Sequence, residues 1–213
     1  MPQVQSKLIV FAKAPIPGSV KTRLQPTVSQ EDAATLQAYF IQHTLELAAT
    51  LKEVDVELQC APDDAHLFFQ QCAQQYNITI TRQCGNDLGE RLANALQAAL
   101  AHYQQVIVVG TDCPELTTEY LLQAYSRLNQ GMTAVIGPAY DGGYVLLGLR
   151  RFSPLLFADI NWGSDQVLYE THKKLHELGW KWDKLPTLYD IDTPDDLLRF
   201  PTVVKAAGLT VKL

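Results

Sequence analysis

The sequence predicts an α/β protein in which helices cover both faces of a mixed, mostly parallel sheet. Short apolar runs alternate along the chain with longer amphipathic segments, which is the pattern of repeated strand–helix units. The length of 213 residues and the hydrophobic share of 47% suit one domain that buries its own core. We therefore expect a single domain over residues 1–213.

The first predicted elements follow from hydrophobic spacing. Residues 8–12 form an apolar run typical of a buried strand. Ser29 is a suitable cap for a helix that extends to about residue 52, where apolar side chains recur at helical spacing. Residues 54–60 alternate apolar and polar side chains, as in a second strand, and residues 63–76 then predict another helix.

The middle of the chain repeats the same alternation. Residues 78–81 predict a short strand and residues 89–103 a helix. The run Val-Ile-Val-Val at 106–109 is typical of a central strand that is buried on both faces. A helix over 117–129 follows, with Thr117 or Thr118 as its cap.

The last third of the chain departs from a simple parallel pattern. Strands at 133–137 and 144–149 flank Asp-Gly-Gly, which favours a hairpin and hence an antiparallel pair. A helix starting at 161–164 and ending near 178 comes next, followed by a strand over 184–189. Pro194 suits the first turn of a final helix, because proline has no N–H to leave unpaired there.

Charge and composition exclude several classes of protein. A formal net charge of −6 argues against binding to the phosphate backbone of nucleic acids. The apolar run at 7–12 is too short for a signal peptide or a membrane span, so we expect a cytoplasmic protein. The four cysteines, which lack CxxC or zinc-finger spacing, are expected to be reduced thiols: Cys60, Cys72, Cys84 and Cys113.

Ligands of open α/β sheets bind at the carboxyl ends of the strands, and the loop after the first strand carries suitable residues. Ala14 and Pro15 begin a stiff segment in which Gly18 permits close approach of a ligand to the backbone. Lys21 and Arg23 supply two cations for a phosphate. The alternative is a rigid surface loop with solvated charges.

Acidic residues follow two other strands. Asp112 comes directly after the central strand, where a carboxylate can hold Mg²⁺ or Mn²⁺ against substrate phosphates; it can instead cap the next helix. Asp190 and Asp192 precede the final helix, so helix capping and metal binding are both open to them.

Two further loops contain candidate binding residues. Asp141, Gly142, Gly143 and Tyr144 could line a substrate pocket, although the Asp-Gly-Gly sequence is equally consistent with a plain turn. Before the third predicted helix, Gln83 could pair with a base edge and Gly89 could let a base or ribose lie on the backbone. The simpler interpretation of that loop is a helix cap.

Together these segments resemble the bacterial family DUF2064, also described as transferase 1 associated with radical-SAM and selenium-related genes. The matching stretches are FAKAPIPGSVKTRL at 11–24, DLGER at 87–91, GTDCP at 110–114, GPAYDGGY at 137–144 and DIDTPDDL at 190–197. They span most of the chain in the order in which the family has them. The resemblance implies the GT-A fold of nucleotidyltransferases and many glycosyltransferases.

A wider similarity is to the sugar nucleotidyltransferases, and it implies roles for three residues. Asp112 and Asp192 match their two metal-binding aspartates, and Gln83 matches their base-reading glutamine. Prolines stand here where those enzymes have a glycine-rich phosphate loop, which departs from the pattern for a nucleoside triphosphate.

The resulting hypothesis is a metal-dependent transferase that uses a nucleotide or nucleotide-sugar donor and a small-molecule acceptor. Lys21 and Arg23 would neutralise phosphate charge, and Asp141 would orient or deprotonate the acceptor. The proline-rich loop favours glycosyl transfer from an NDP-sugar over nucleotidyl transfer from an NTP. A nucleotide-binding regulatory module without activity is the third possibility, and the sequence leaves the oligomeric state open.

Overall fold

The computed structural model describes residues 5–25 and 27–209. The outermost residues of the predicted single domain, 1–4 and 210–213, therefore lie outside the described residues, as does residue 26. The strands are β1 (Ser6–Lys13), β2 (Val54–Ala61), β3 (Thr79–Arg82), β4 (Gln105–Val109), β5 (Ala134–Pro138), β6 (Tyr144–Leu149) and β7 (Trp182–Lys184). The α-helices are α1 (Gln30–Ala49), α2 (Leu67–Tyr76), α3 (Leu88–Leu100), α4 (Thr118–Asn129), α5 (Val167–Glu177), α6 (Pro194–Arg199) and α7 (Pro201–Ala206).

The described strands form one seven-stranded sheet in the order β3-β2-β1-β4-β6-β5-β7. β1 lies in the middle and pairs in parallel with both β2 and β4. β6 is antiparallel to its neighbours β4 and β5, as the Asp-Gly-Gly hairpin predicts. The predicted mixed, mostly parallel sheet is confirmed, and the carboxyl ends of β1 and β4 lie side by side.

Helices cover both faces of the sheet, also as predicted. Successive residues of β1 point to opposite faces, so Leu8 and Val10 pack in one core cluster while Ile9 packs in the other. A third cluster lies beyond the sheet and joins the β1–α1 loop to the segment before α6, through Leu24, Phe40 and Ile191. Burial of this third cluster holds two distant parts of the chain against each other.

Three predicted boundaries in the last third of the chain are wrong. The last strand covers Trp182–Lys184 rather than 184–189, because its pairing with β5 shifts by one residue between Leu185 and Leu188, whose N–H groups donate to the carbonyls of Ile136 and Pro138. Leu188 forms only an isolated bridge with Ala139. The predicted final helix is two short helices, divided at Phe200 before a second proline.

The third boundary concerns the helix expected to start at 161–164. It begins only at Val167, and residues 161–166 form a loop in which Gly163 has φ +89°. None of the helices in the described part of the chain is both long and apolar enough to cross a membrane.

Candidate active site

The buried side chain of Ile191 fixes the centre of the site at the carboxyl edge of the sheet. Its backbone N–H donates to the carbonyl oxygen of Asp112 at 2.9 Å, and its carbonyl accepts from Lys21 Nζ at 2.6 Å. The side chain is 0% exposed. Three loops that are far apart in the sequence therefore meet at one residue.

Lys21 reaches this point from a strained backbone. Its φ of 49° lies in the left-handed region, which costs a residue with a side chain on the order of 1 kcal/mol or more. The side chain is 2% exposed, and its Nζ lies 2.9 Å from Asp112 Oδ2, whereas the Asp112 side chain is 47% exposed. Lys21 thus holds Asp112 from the protein side and leaves the carboxylate open to the cavity.

Arg23 and Asp192 form a second ion pair at the same edge, with Nη1 and Oδ2 2.6 Å apart. Both side chains are largely exposed, and an exposed pair typically contributes only about 0–1 kcal/mol to stability. The guanidinium can therefore change partner at little cost, for example to a phosphate.

A cavity of about 720 Å³ opens over these residues. Among the residues that the structure describes, four cations line it: Lys21 and Arg23 from the first loop, Lys13 at the end of β1, and Arg91 on α3. Arg91 Nε donates to the Gly85 carbonyl at 3.1 Å, which anchors its guanidinium at the cavity wall. Sequence reasoning missed Lys13 and Arg91, although Arg91 closes one of the stretches that resemble the family.

Gln83 lines this cavity, but its side-chain amide forms hydrogen bonds with the backbone. Its amide Nε2 donates to the carbonyls of Gln59 at 2.8 Å and Ala12 at 3.3 Å, so it bridges the ends of β1 and β2. Its donor hydrogens are thus engaged by the backbone. Reading of a base by Gln83 remains a prediction, and it would have to use the amide oxygen.

A second cavity of about 460 Å³ adjoins the first. The two share Arg23, Tyr144, Asp190 and Asp192 among their lining residues. Asp141 lies on the second cavity, with its Oδ1 accepting from the Gly143 N–H at 2.8 Å. That hydrogen bond fixes the direction of the carboxylate at the turn between β5 and β6.

The junction of the cavities is rich in negative charge. Burial, together with the nearby charges of Asp141 and Asp112, raises the pKa of the Asp190 carboxyl to about 6, while Lys21 works in the opposite direction. Clustered carboxylates of this kind are the donors that a hard divalent cation prefers. The residues present therefore suit Mg²⁺ or Mn²⁺.

Within residues 5–25 and 27–209, no three His, Cys, Asp or Glu side chains converge closely enough to enclose a metal ion. A divalent ion here would have no more than two of these described side chains as ligands and would take others from phosphate oxygens and water. Mg²⁺ in phosphate-handling sites is commonly held in this way.

Three residues of the first loop that were predicted to bind a ligand do not line either cavity. Ala14 is 2% exposed and belongs to the core, and its N–H donates to the Ala61 carbonyl at 2.8 Å. Pro15 stands beside it, outside both linings. Gly18 has φ +78° and faces the Gln30 side chain, so its role is to turn the chain.

Gly89 and Gly142 have a packing role that the sequence did not predict. A Cβ on Gly89 would lie 2.0 Å from Nε1 of Trp162, and a Cβ on Gly142 would lie 2.1 Å from the backbone oxygen of Asp165. Both glycines are therefore required for contact with the loop before α5, and their binding to a ligand stays a prediction. Trp162 itself lines the second cavity, together with Gly143 and Tyr144.

The sheet with its antiparallel β6, and a cavity of cations and carboxylates at its carboxyl edge, define a transferase of the GT-A type. A protein of Desulfovibrio desulfuricans G20, provisionally named a nucleotide-diphospho-sugar transferase, shares 31% identity with a TM-score of 0.82, over 95% of this chain and 98% of that chain. Residues 44–164 match the model of DUF2064, described as an uncharacterized protein conserved in bacteria. The chain belongs to this family.

More distant structures share the fold alone. A cytidylyltransferase from Leptospira borgpetersenii has 14% identity and a TM-score of 0.57, over 95% of this chain and 87% of that chain. Glucosyl-3-phosphoglycerate synthase from Mycobacterium tuberculosis, solved with Mn²⁺, UDP and glucosyl-3-phosphoglycerate, has 10% identity and a TM-score of 0.54, over 98% and 81%. No curated protein matches the sequence.

Proposed function

We propose that this protein is a metal-dependent glycosyltransferase that takes its sugar from a nucleoside diphosphate sugar. The observation that carries the proposal is the pair of contacts Lys21–Asp112 and Arg23–Asp192, which line one cavity at the carboxyl ends of β1 and β4. Cations and acidic metal ligands next to each other are the groups that a diphosphate leaving group requires.

The larger cavity is the proposed donor site. Lys13, Arg23 and Arg91 present positive charge to it, and the donor's diphosphate would bind among them. Lys21 is buried beneath Asp112, so its role is to hold that carboxylate in position rather than to contact phosphate directly. A divalent ion bound by Asp112 and Asp192 would supply Lewis-acid stabilisation of the leaving diphosphate.

Transfer requires an acceptor atom close to the junction of the cavities. The acceptor oxygen or nitrogen forms a bond to the anomeric carbon, and the bond from that carbon to the diphosphate oxygen breaks with its electron pair. The proton of the acceptor passes to a carboxylate, for which Asp141 is the proposed base because its side chain lies on the adjoining cavity.

Nucleotidyl transfer from an NTP is the second candidate. The four cations of the larger cavity could also bind a triphosphate, and a cytidylyltransferase shares the fold. In that reaction a phosphate oxygen of the second substrate would attack the α-phosphate, and pyrophosphate would leave.

Product analysis distinguishes the two reactions. UDP-glucose, GDP-mannose and ADP-glucose are offered with Mn²⁺ in one series, and CTP, UTP and GTP in another, with glucose, glucosamine and glucose 6-phosphate as trial acceptors. We expect metal-dependent release of a nucleoside diphosphate, abolished in Asp112→Asn and unchanged in Arg151→Met, which removes an exposed cation outside both cavities. Pyrophosphate from NTPs with NDP-sugars left intact would establish the second reaction instead.

A further inference from the structure

The smaller cavity differs from the larger one in charge. Its lining includes four carboxylates, Asp141, Asp165, Asp190 and Asp192, and among the described lining residues the single cation is Arg23. Arg23 is already paired with Asp192. A divalent ion on Asp192 would still leave the carboxylates of Asp141 and Asp165 in the lining of this cavity. This cavity therefore repels anions, whereas the larger cavity can bind them.

Trp162 and Tyr144 also line the smaller cavity, and Trp162 is packed on several sides. Trp162 lies against the bare Cα of Gly89, so that its Nε1 occupies the space of a missing side chain. Phe157 stacks on it with an interplanar angle of 17°, and Tyr144 meets it nearly edge-on at 84°. A clamped indole next to carboxylates provides an apolar face for a ring and acceptors for hydroxyl or ammonium hydrogens.

We propose that the smaller cavity binds the acceptor, and that this acceptor is a neutral or cationic polyhydroxy ring compound seated on Trp162. Its nucleophile is then a hydroxyl or an amine, and not a phosphate or a carboxylate. The proposal rests on the transferase function proposed above, since it names the second substrate of that reaction.

The negative charge of the smaller cavity also favours the transfer of the sugar to a hydroxyl or an amine. The hydroxyl or amine loses its proton to a cavity carboxylate as its lone pair forms the bond to the anomeric carbon, and the nucleoside diphosphate leaves with the electron pair of the broken bond. Carboxylates around the acceptor stabilise the positive charge that develops on the attacking atom. An acceptor phosphate would bring negative charge against four carboxylates instead.

Three sugars of the same ring size test the proposal without any donor: glucose, glucosamine and glucose 6-phosphate. Their binding is measured by saturation-transfer NMR. We expect glucose and glucosamine to bind. Glucose 6-phosphate should bind more weakly, by about tenfold or more. Asp165→Asn keeps the size of the side chain but removes its charge. This variant should reduce the difference in affinity between glucose and glucose 6-phosphate several-fold.

Two aromatic variants provide matched controls. Trp162→Ala should abolish binding of all three sugars, and Tyr169→Ala, which removes an exposed ring outside both cavities, should leave it unchanged. Melting temperatures of all variants establish that they are folded. Equal or tighter binding of glucose 6-phosphate, an unchanged preference in Asp165→Asn, or no binding of any of the three overturns the proposal.

Because this experiment contains no donor, its outcome is separate from that of the product analysis. The protein could bind glucose 6-phosphate more weakly than glucose and yet release no nucleoside diphosphate from any donor. That result would contradict the proposed glycosyl transfer and support the proposed acceptor site. Release of a nucleoside diphosphate together with tighter binding of glucose 6-phosphate would support the glycosyl transfer and contradict the proposed acceptor site.

Discussion

Lys21 buries its ammonium group against Asp112, with Nζ 2.9 Å from Oδ2, while the other side of the carboxylate faces the cavity. The pair links the loop after β1 to the end of β4. Ile191, in the segment before α6, forms backbone hydrogen bonds with both residues of the pair. The candidate site is therefore assembled by the packing of three loops rather than by one continuous motif.

Lys21→Met should lower kcat/KM for the donor by roughly 100-fold, the usual effect of losing one electrostatic group in an active site. The methionine keeps most of the apolar stem but leaves Asp112 without the cation that orients it. Steady-state kinetics with the donor identified by product analysis measure the effect. Arg151→Met serves as the control, and a loss of less than twofold in Lys21→Met would contradict the role of the pair.

Arg23→Met should weaken donor binding and leave the fold almost unchanged. Removing a charge-assisted hydrogen bond to a phosphate costs about 1.5–3 kcal/mol, which corresponds to a donor KM higher by about tenfold or more. Its exposed pair with Asp192 contributes little to stability, so the melting temperature should fall by no more than a few degrees. An unchanged KM would remove Arg23 from the donor site.

Gly89→Ala should displace Trp162, because the new methyl group would overlap the indole ring. Overpacking of this kind typically costs about 1–3 kcal/mol. We expect a lower free energy of unfolding, altered tryptophan fluorescence and weaker binding of the acceptor. Adding Trp162→Phe to Gly89→Ala should restore part of the stability, since the smaller ring leaves room for the methyl group. Additive losses in the double variant would show that the two residues do not interact.

The Lys7–Glu57 pair predicts how stability depends on pH, well away from the candidate site. Burial raises the pKa of Glu57, but hydrogen bonds from Lys7, Thr81 and Gln59 outweigh it and hold the pKa below its usual range. A lowered pKa in the folded state stabilises the protein above the unfolded pKa of ~4.3, and this stabilisation is lost as the pH falls through the folded value.

Glu57→Gln should therefore be less stable than the wild type by about 1–3 kcal/mol at pH 7, since Asp55 at 3.4 Å is then the one acidic partner of Lys7 among the described residues. The difference should shrink as the pH is lowered from about 5 towards 3. Urea unfolding at a series of pH values measures it. If the difference in the free energy of unfolding stayed constant over this pH range, Glu57 would not have a lowered pKa in the folded protein.

Thiol reactivity gives an independent test of the fold. Cys60, Cys72 and Cys113 are buried, and burial raises the pKa of their thiols to about 12, 11 and 12 respectively. Cys84 is exposed. We expect one thiol per chain to react rapidly with an aromatic disulfide reagent in the native protein and all four to react after unfolding. Cys84→Ser should remove the rapid phase, and a rapid second thiol would contradict the packing.

The elements that the sequence predicts well are those whose patterns are local. The apolar runs of β1 and β4 place Asp112 and the Lys21 loop at one edge of the sheet, and Asp-Gly-Gly identifies the β5–β6 hairpin. Ile191 lies beyond the end of β7, so its position beside them depends on the third core cluster rather than on a strand end.

The contacts that escaped prediction depend on loop packing between distant segments. The spacing of residues does not reveal that Gly89 faces Trp162, or that the amide of Gln83 is used by backbone carbonyls. The sequence predicts Lys21 as a phosphate-binding cation, with a solvated surface charge as the alternative, whereas the third core cluster encloses its loop and makes it a buried partner of Asp112. Such contacts require the three-dimensional arrangement of the loops.

The central claim is that a divalent ion and a nucleoside diphosphate bind together at Asp112 and Asp192, and one measurement tests it directly. Thermal unfolding is followed with UDP, GDP and CDP, with and without Mn²⁺, for the wild type and Asp112→Asn. Ligands that bind the folded state raise the melting temperature. We predict that at least one nucleotide stabilises the wild type much more strongly with Mn²⁺, and that Asp112→Asn loses the increment due to the metal. Stabilisation that is the same with and without Mn²⁺ and persists in Asp112→Asn would contradict the claim and indicate a nucleotide-binding module instead.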